Sequence, residues 1–170
     1  MQRKLGRPPS TLPPAPRRGL GPLTMITIEQ IMEFLPHRFP MLMIDRIVEV
    51  VPGKSCKAIK NVTINEAFFQ GHYPGMPVMP GVLILESMAQ AGAVLFLADP
   101  SKGSVKPLLG SIDNVKFKRP VVPGDQLVSE VELVWIKGDY GKFKAEARVD
   151  GEIVATMEAA FKLLAEKESA

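Results

Sequence analysis

The chain has 170 residues, 46% hydrophobic and 23% charged, enough for one domain with one sizeable core and too ordinary in composition for a fibrous or wholly disordered protein. Its single cysteine, Cys56, excludes an intrachain disulfide, and two histidines make a structural zinc cluster hard to assemble. The net charge of +3 belongs to the first 24 residues, which carry Arg3, Lys4, Arg7, Arg17 and Arg18 and no acid; taking those five from the 21 lysines and arginines leaves 16 against 18 acids, so the remainder offers no basic footprint for nucleic acid.

Residues 1–24 hold six prolines and three glycines, which predicts a disordered, basic, proline-rich tail ahead of one domain over residues 25–170. The tail has no apolar stretch of a secretory signal, so a cytoplasmic protein is expected. Three readings stay open for it: a linker, an arginine-bearing transit segment poor in serine, or a start assigned too early, with Met25 directly ahead of the first patterned segment.

Thr27 with Gln30 three residues on forms a capping-box pattern, and Ile28, Ile31, Met32 and Leu35 keep helical spacing, which predicts a helix over 27–35. Residues 41–51 and 54–63, rich in β-branched side chains and joined at Pro52-Gly53, predict a hairpin. Further strands are expected at 106–118, 126–137, 142–150 and 153–164, divided by Pro123-Gly124-Asp125, by Gly138-Asp139-Tyr140-Gly141 and by Asp150-Gly151. Turns this tight imply an antiparallel sheet. In 142–150, Phe143, Ala145, Ala147 and Val149 alternate with Lys142, Lys144, Glu146, Arg148 and Asp150, so that strand has one wet face.

Between the strand groups lies Val82–Ala98, apolar on nearly every side apart from Glu86, Ser87 and Gln90. It is short for a membrane span and carries an ionisable group, which leaves burial under the sheet. The expected class is therefore α+β, an antiparallel sheet wrapped around one long central apolar helix.

The segment ahead of that helix, Gln70-Gly71-His72-Tyr73-Pro74-Gly75-Met76-Pro77-Val78-Met79-Pro80-Gly81, stiffens the chain with prolines and permits close backbone approach at glycines. Such a loop can hold His72 in place; a histidine that merely satisfies loop hydrogen bonds is the alternative. Glu86 sits early in the apolar helix, beside Val82, Leu83, Ala89 and Gln90. Burying a carboxylate without partners is expensive and favours its protonated form, which suits a general acid; otherwise Glu86 reaches the surface or an ion pair. Pro80 suits the first helical position, and the amides of Gly81 and Val82 with the helix dipole can meet developing negative charge. A base, an acid and an oxyanion donor suffice to take a proton next to a thioester carbonyl and expel a hydroxyl from the next carbon.

The run G-H-Y-P-G-M-P-V-M-P-G-V-L-I-L-E-S-M-A-Q closely resembles the signature of the (3R)-hydroxyacyl-(acyl carrier protein) dehydratases of type II fatty-acid synthesis, a hot dog fold family. LPHRFPMLMIDRI at 35–47, NEAFFQGH at 65–72 and DNVKFKRPVVPGDQL at 113–127 extend the likeness over residues 26–164. The resemblance implies His72 as the catalytic histidine, Glu86 as the catalytic carboxylate and the Gly81 amide as the group that polarises the substrate carbonyl. It implies a substrate carried on acyl carrier protein and no metal or organic cofactor. It also implies a homodimer with histidine and glutamate from opposite subunits, in some relatives a hexamer built as a trimer of dimers. Whether the histidine alone relays both protons stays open. Met76 stands where many relatives carry histidine, and Ser87 where alanine is frequent.

His37, in Pro36-His37-Arg38, is expected to pack or cap, and Lys116, Lys118 and Arg119 either guide an acidic carrier protein or form a solvated strand edge. The rival functions are a hot dog acyl thioesterase, a dehydratase that also isomerises its product and typically has aspartate at the Glu86 position, and a non-catalytic acyl-thioester sensor.

Overall fold

The computed structural model describes residues 25–97 and 105–165; the tail at 1–24 and Ala98 lie outside them. Helix α1 spans Ile28–Phe34 with Thr27 as its N-cap, and the Thr27 amide donates to Gln30 Oε1 at 2.9 Å, as the capping pattern predicted. Strands β1 (Arg46–Val51) and β2 (Ser55–Asn61) form the first hairpin about Pro52-Gly53. The strand expected from residue 41 starts only at Arg46. The backbone ahead of it is engaged elsewhere: Gln90 Nε2 donates to the Met41 carbonyl at 2.6 Å, and the Met43 amide donates to Gln90 Oε1 at 2.8 Å.

Helix α2 covers Gly81–Leu97 and is followed by β3 (Val105–Phe117), β4 (Gln126–Lys137), β5 (Tyr140–Val149) and β6 (Glu152–Ala165). Strand β5 begins ahead of the expected residue 142 because Tyr140 and Gly141 already pair with Lys137 and Ile136. At Asp150-Gly151, φ values of 51° and 82° make the two-residue hairpin turn for which an Asp-Gly pair is suited.

The six strands form one antiparallel sheet in the order β1-β2-β4-β5-β6-β3, and α2 contacts all six. The alternation expected in β5 is present, with Phe143, Ala145, Ala147 and Val149 buried and Lys144 exposed. Ile84, Leu85, Met88, Val94, Leu95 and Phe96 meet them from α2, each such side chain contributing about 1.5–3 kcal/mol when buried. Gly92 lets the helix lie against the sheet, since a Cβ there would stand 2.9 Å from the Phe143 ring. Ser87 is buried and its hydroxyl lies 3.2 Å from that of buried Ser129, so a polar residue in an apolar helix is matched across the interface. Cys56 lies between Val50 of β1 and Val131 of β4, and burial pushes its thiol up to about 12.

Burial on every side of α2, suggested by its composition, does not hold for the single chain. Val82 is exposed, and Glu86, Ala89, Ala93 and Leu97 are half-buried, a stripe at helical spacing that the chain's own sheet does not cover. Strand β3 is a sheet edge of 13 residues with Leu108, Leu109, Ile112 and Phe117 exposed. No helix among the described residues is long and apolar enough to cross a membrane.

Candidate active site

The loop after β2 folds first into a single 3-10 turn, Ala67–Gln70, whose Phe68 carbonyl accepts the amides of Gly71 and His72. The next turns close a clamp on the imidazole. His72 Nδ1 lies 2.7 Å from the Val78 carbonyl, while the Val78 amide donates back to the His72 carbonyl at 3.1 Å. A carbonyl only accepts, so Nδ1 carries the hydrogen and Nε2 of the neutral ring keeps its lone pair. The ring also stacks on Tyr73 with centroids 4.0 Å apart. The Met79 amide ties the end of the loop to the Val121 carbonyl at 2.8 Å. Met76 makes a reciprocal backbone pair with Tyr73 and turns its side chain outward, 61% exposed, so the departure at that position leaves the His72 clamp intact.

An anchor not foreseen from the sequence underlies this loop. Lys60 is 6% exposed, and its ammonium meets Glu66 Oε1 at 2.5 Å and Asp45 Oδ1 at 3.3 Å. Two carboxylates answer one buried cation, and Asp45 Oδ2 also accepts the Asn61 amide at 2.7 Å. The signal was available: Lys60 follows Cys56 and Ala58 on the inward phase of β2.

At the start of α2 the Pro80 carbonyl accepts the amides of Leu83 and Ile84 at 2.9 and 3.2 Å. Pro80 is therefore the cap, not the first helical residue as expected, and Gly81 opens the helix. The first amides of a helix have no intrahelical acceptor, so those of Gly81 and Val82 are available to an anionic group. Glycine at 81 also has a packing reason, because a Cβ there would lie 2.8 Å from the Phe117 ring.

Glu86 is held rather than isolated. Its side chain is 25% exposed, and Oε1 accepts Gln90 Nε2–H at 2.8 Å with His37 Nε2 at 3.4 Å. His37, expected only to pack or cap, thus faces the carboxyl. The capping falls to Arg38, whose Nη1 donates to the Leu35 carbonyl at 2.8 Å and Nη2 to that of Met32 at 2.9 Å. A cavity of about 220 Å³ lies beside Glu86, with His37, Gln90, Phe96, Leu108 and Leu109 among its walls. His72 is not one of its lining residues.

A larger depression, about 680 Å³, lies on the outer face of the sheet. It is walled by paired charges, Lys57 with Glu130 at 2.6 Å and Lys144 with Glu132 at 2.8 Å, and none of His37, His72, Gly81, Glu86 and Gln90 lines it. This is a solvated sheet face. Of the basic residues near the end of β3, Lys116 and Lys118 are exposed, whereas Arg119 is answered by Glu152 at 3.4 Å and Asp125 at 3.6 Å.

Residues 35–158, which contain the His72 loop, the start of α2 and the His37 segment, match the FabA-like domain. The chain belongs to the FabA-like family. The 3-hydroxyacyl-(acyl carrier protein) dehydratase FabZ of Caldicellulosiruptor bescii is 56% identical over 137 residues, covering 81% of this chain and 98% of that protein. The enzyme of the same name from Clostridium acetobutylicum is 52% identical over 140 residues, covering 82% and 99%. Among solved structures, the dehydratase heterocomplex ApeI:P from Xenorhabdus doucetiae superposes with a TM-score of 0.66 at 17% identity, over 80% of this chain and 91% of that one. The E. coli PaaI protein superposes with a TM-score of 0.55 at 15% identity, over 68% and 80%. These two likenesses concern the fold, and the hot dog arrangement expected from the sequence is the one this FabA-like chain adopts.

Proposed function

We propose that the chain is a hydro-lyase that removes water reversibly from (3R)-hydroxyacyl thioesters on acyl carrier protein, giving the trans-2-enoyl thioester in fatty-acid elongation. Identity above half to enzymes of that name over nearly their whole length is the main support, and the fixed tautomer of His72 supplies a base of the right kind.

The Cα–H bond breaks with its proton passing to His72 Nε2, while the Gly81 amide meets the charge that develops on the thioester oxygen. The electron pair forms the Cα–Cβ double bond, the Cβ–O bond breaks, and the oxygen takes a proton from Glu86 to leave as water. His72 ends protonated and Glu86 ionised, and return of one proton from the first to the second resets the site. General acid or base catalysis by one positioned group typically contributes about 10²–10⁴-fold, and an oxyanion donor roughly 2.7–4 kcal/mol.

The site is shared between two copies, His72 from one and Glu86 from the other. Three features favour this: the cavity beside Glu86 lacks His72, the uncovered stripe of α2 runs through Glu86, and β3 leaves a long sheet edge unpaired. Three such dimers would make the hexamer that the resemblance allows, a trimer of dimers. The lone buried thiol fits a reducing cytoplasm, which cell fractionation checks.

Two measurements test the reading. Purified protein given a 3-hydroxyacyl thioester should yield the enoyl product; free thiol instead would mark a thioesterase, and binding without turnover a sensor. His72→Ala and Glu86→Ala, each inactive, should recover about a quarter of wild-type activity when refolded as a mixture, because random pairing makes half the dimers mixed and each mixed dimer has one complete site. No recovery despite verified exchange would rule out the shared site.

A further inference from the structure

Resting on the reading of Glu86 as the acid, we infer that Gln90 and His37 are positioning residues that hold Glu86 Oε1 and so leave Oε2 to carry the proton delivered to substrate.

Gln90 is 2% exposed and its amide has no freedom to flip. Oε1 must face the Met43 amide, a donor at 2.8 Å, and Nε2 must face the Met41 carbonyl, an acceptor at 2.6 Å. The second hydrogen of Nε2 then points at Glu86 Oε1, 2.8 Å away. Backbone groups of the segment before β1 thereby dictate which face of the amide Glu86 meets.

His37 addresses the same oxygen, with Nε2 at 3.4 Å. Its Nδ1 is buried and finds no hydrogen-bond partner among the described residues. A bare lone pair in that position costs less than an orphaned N–H, so the favoured tautomer has its hydrogen on Nε2, aimed at Glu86. Two donors on one carboxyl oxygen disfavour a proton there. They also steady the carboxylate that forms when Oε2 gives its proton up.

The test measures kcat and KM for enoyl formation from a (3R)-hydroxyacyl thioester on carrier protein, with thermal melting of each variant. Gln90→Glu keeps the size and the acceptor for Met43 but replaces the donor that faces both Glu86 and the Met41 carbonyl, and kcat should fall about 100-fold with KM within roughly threefold. His37→Phe removes one ring donor and leaves no backbone group unpaired; kcat should fall about tenfold with little change in KM or melting. His37→Gln, which returns an N–H near the position of Nε2, should regain most of that loss. Folded Gln90→Glu and His37→Phe proteins with wild-type kcat would overturn the inference, as would His37→Gln as poor as His37→Phe, or losses of kcat that merely track losses of folding. If Gln90→Glu does not fold, the His37 pair decides alone. Glu86→Gln separates the two levels: wild-type turnover there removes the acid reading itself, whereas an inactive Glu86→Gln beside an unimpaired His37→Phe removes only the positioning role.

Discussion

The loop that carries His72 fixes its ring with backbone, through the paired contacts between His72 and Val78, whereas Glu86 on a regular helix is fixed by side chains, one a turn along α2 and one from the segment before β1. A backbone clamp is local and stiff, built from prolines that limit the chain and glycines that let it turn. A side-chain clamp depends on the sheet and helix having first brought distant segments together. The proposed site thus combines a group held within its own loop with a group held by segments distant in the chain.

The strongest way to break the contrast is to remove its two ends. His72→Ala and Glu86→Ala should each lower kcat by about 10²–10⁴-fold while the protein stays folded, with Glu86→Ala melting below the wild-type temperature because buried Gln90 loses the acceptor for one Nε2 hydrogen. Steady-state turnover and thermal melting check both. Gly81 stands where the two supports meet, last in the loop and first in the helix. Gly81→Ala sets a methyl 2.8 Å from the far end of the Phe117 ring, a side chain 53% exposed that can swing aside, and should cost about 1 kcal/mol or less in urea unfolding, together with activity; adding Phe117→Ala should remove that cost by opening the space.

The smallest effect lies far from both supports, on the outer sheet face. Lys57 first and Arg148 next hold the Glu130 carboxyl below its ordinary value of 4.5. A carboxyl favoured in its charged form by folding stabilises the protein fully above that value, and the contribution fades below it and is lost as pH falls through the lowered value of the folded protein. Both partners are more than a third exposed, so solvent screening leaves about 0.2–1 kcal/mol. Lys57→Ala should therefore lower the melting temperature by roughly 1–4 °C at pH 7 and by less at pH 3, with turnover unchanged.

What the sequence disclosed follows the same division. The capping pair Thr27 and Gln30, the Asp150-Gly151 turn, the phase of β5 and the Pro/Gly loop around His72 are signals within a few residues, and each appears in the fold where it was expected. The sequence suggests packing or capping for His37 because nothing beside it in the chain hints at Glu86. The start of β1 was placed too early for a related reason: Met41 and Met43 carry a strand pattern, yet a glutamine from α2 takes their backbone groups. Lys60 lies between these cases, since its position on the inward phase of β2 was visible while its two carboxylate partners were not. The half-covered stripe of α2 was hidden because an apolar sequence does not say which surface buries it.

The position of Cys56 gives the protein a built-in clock. Its sulfur is sealed between β1 and β4 and has no thiolate to offer near neutrality. An alkylating reagent can reach it only when those strands part. The pace of labelling in native buffer, followed by intact mass, therefore counts openings of that side of the sheet, with no introduced probe and no competing thiol anywhere in the chain.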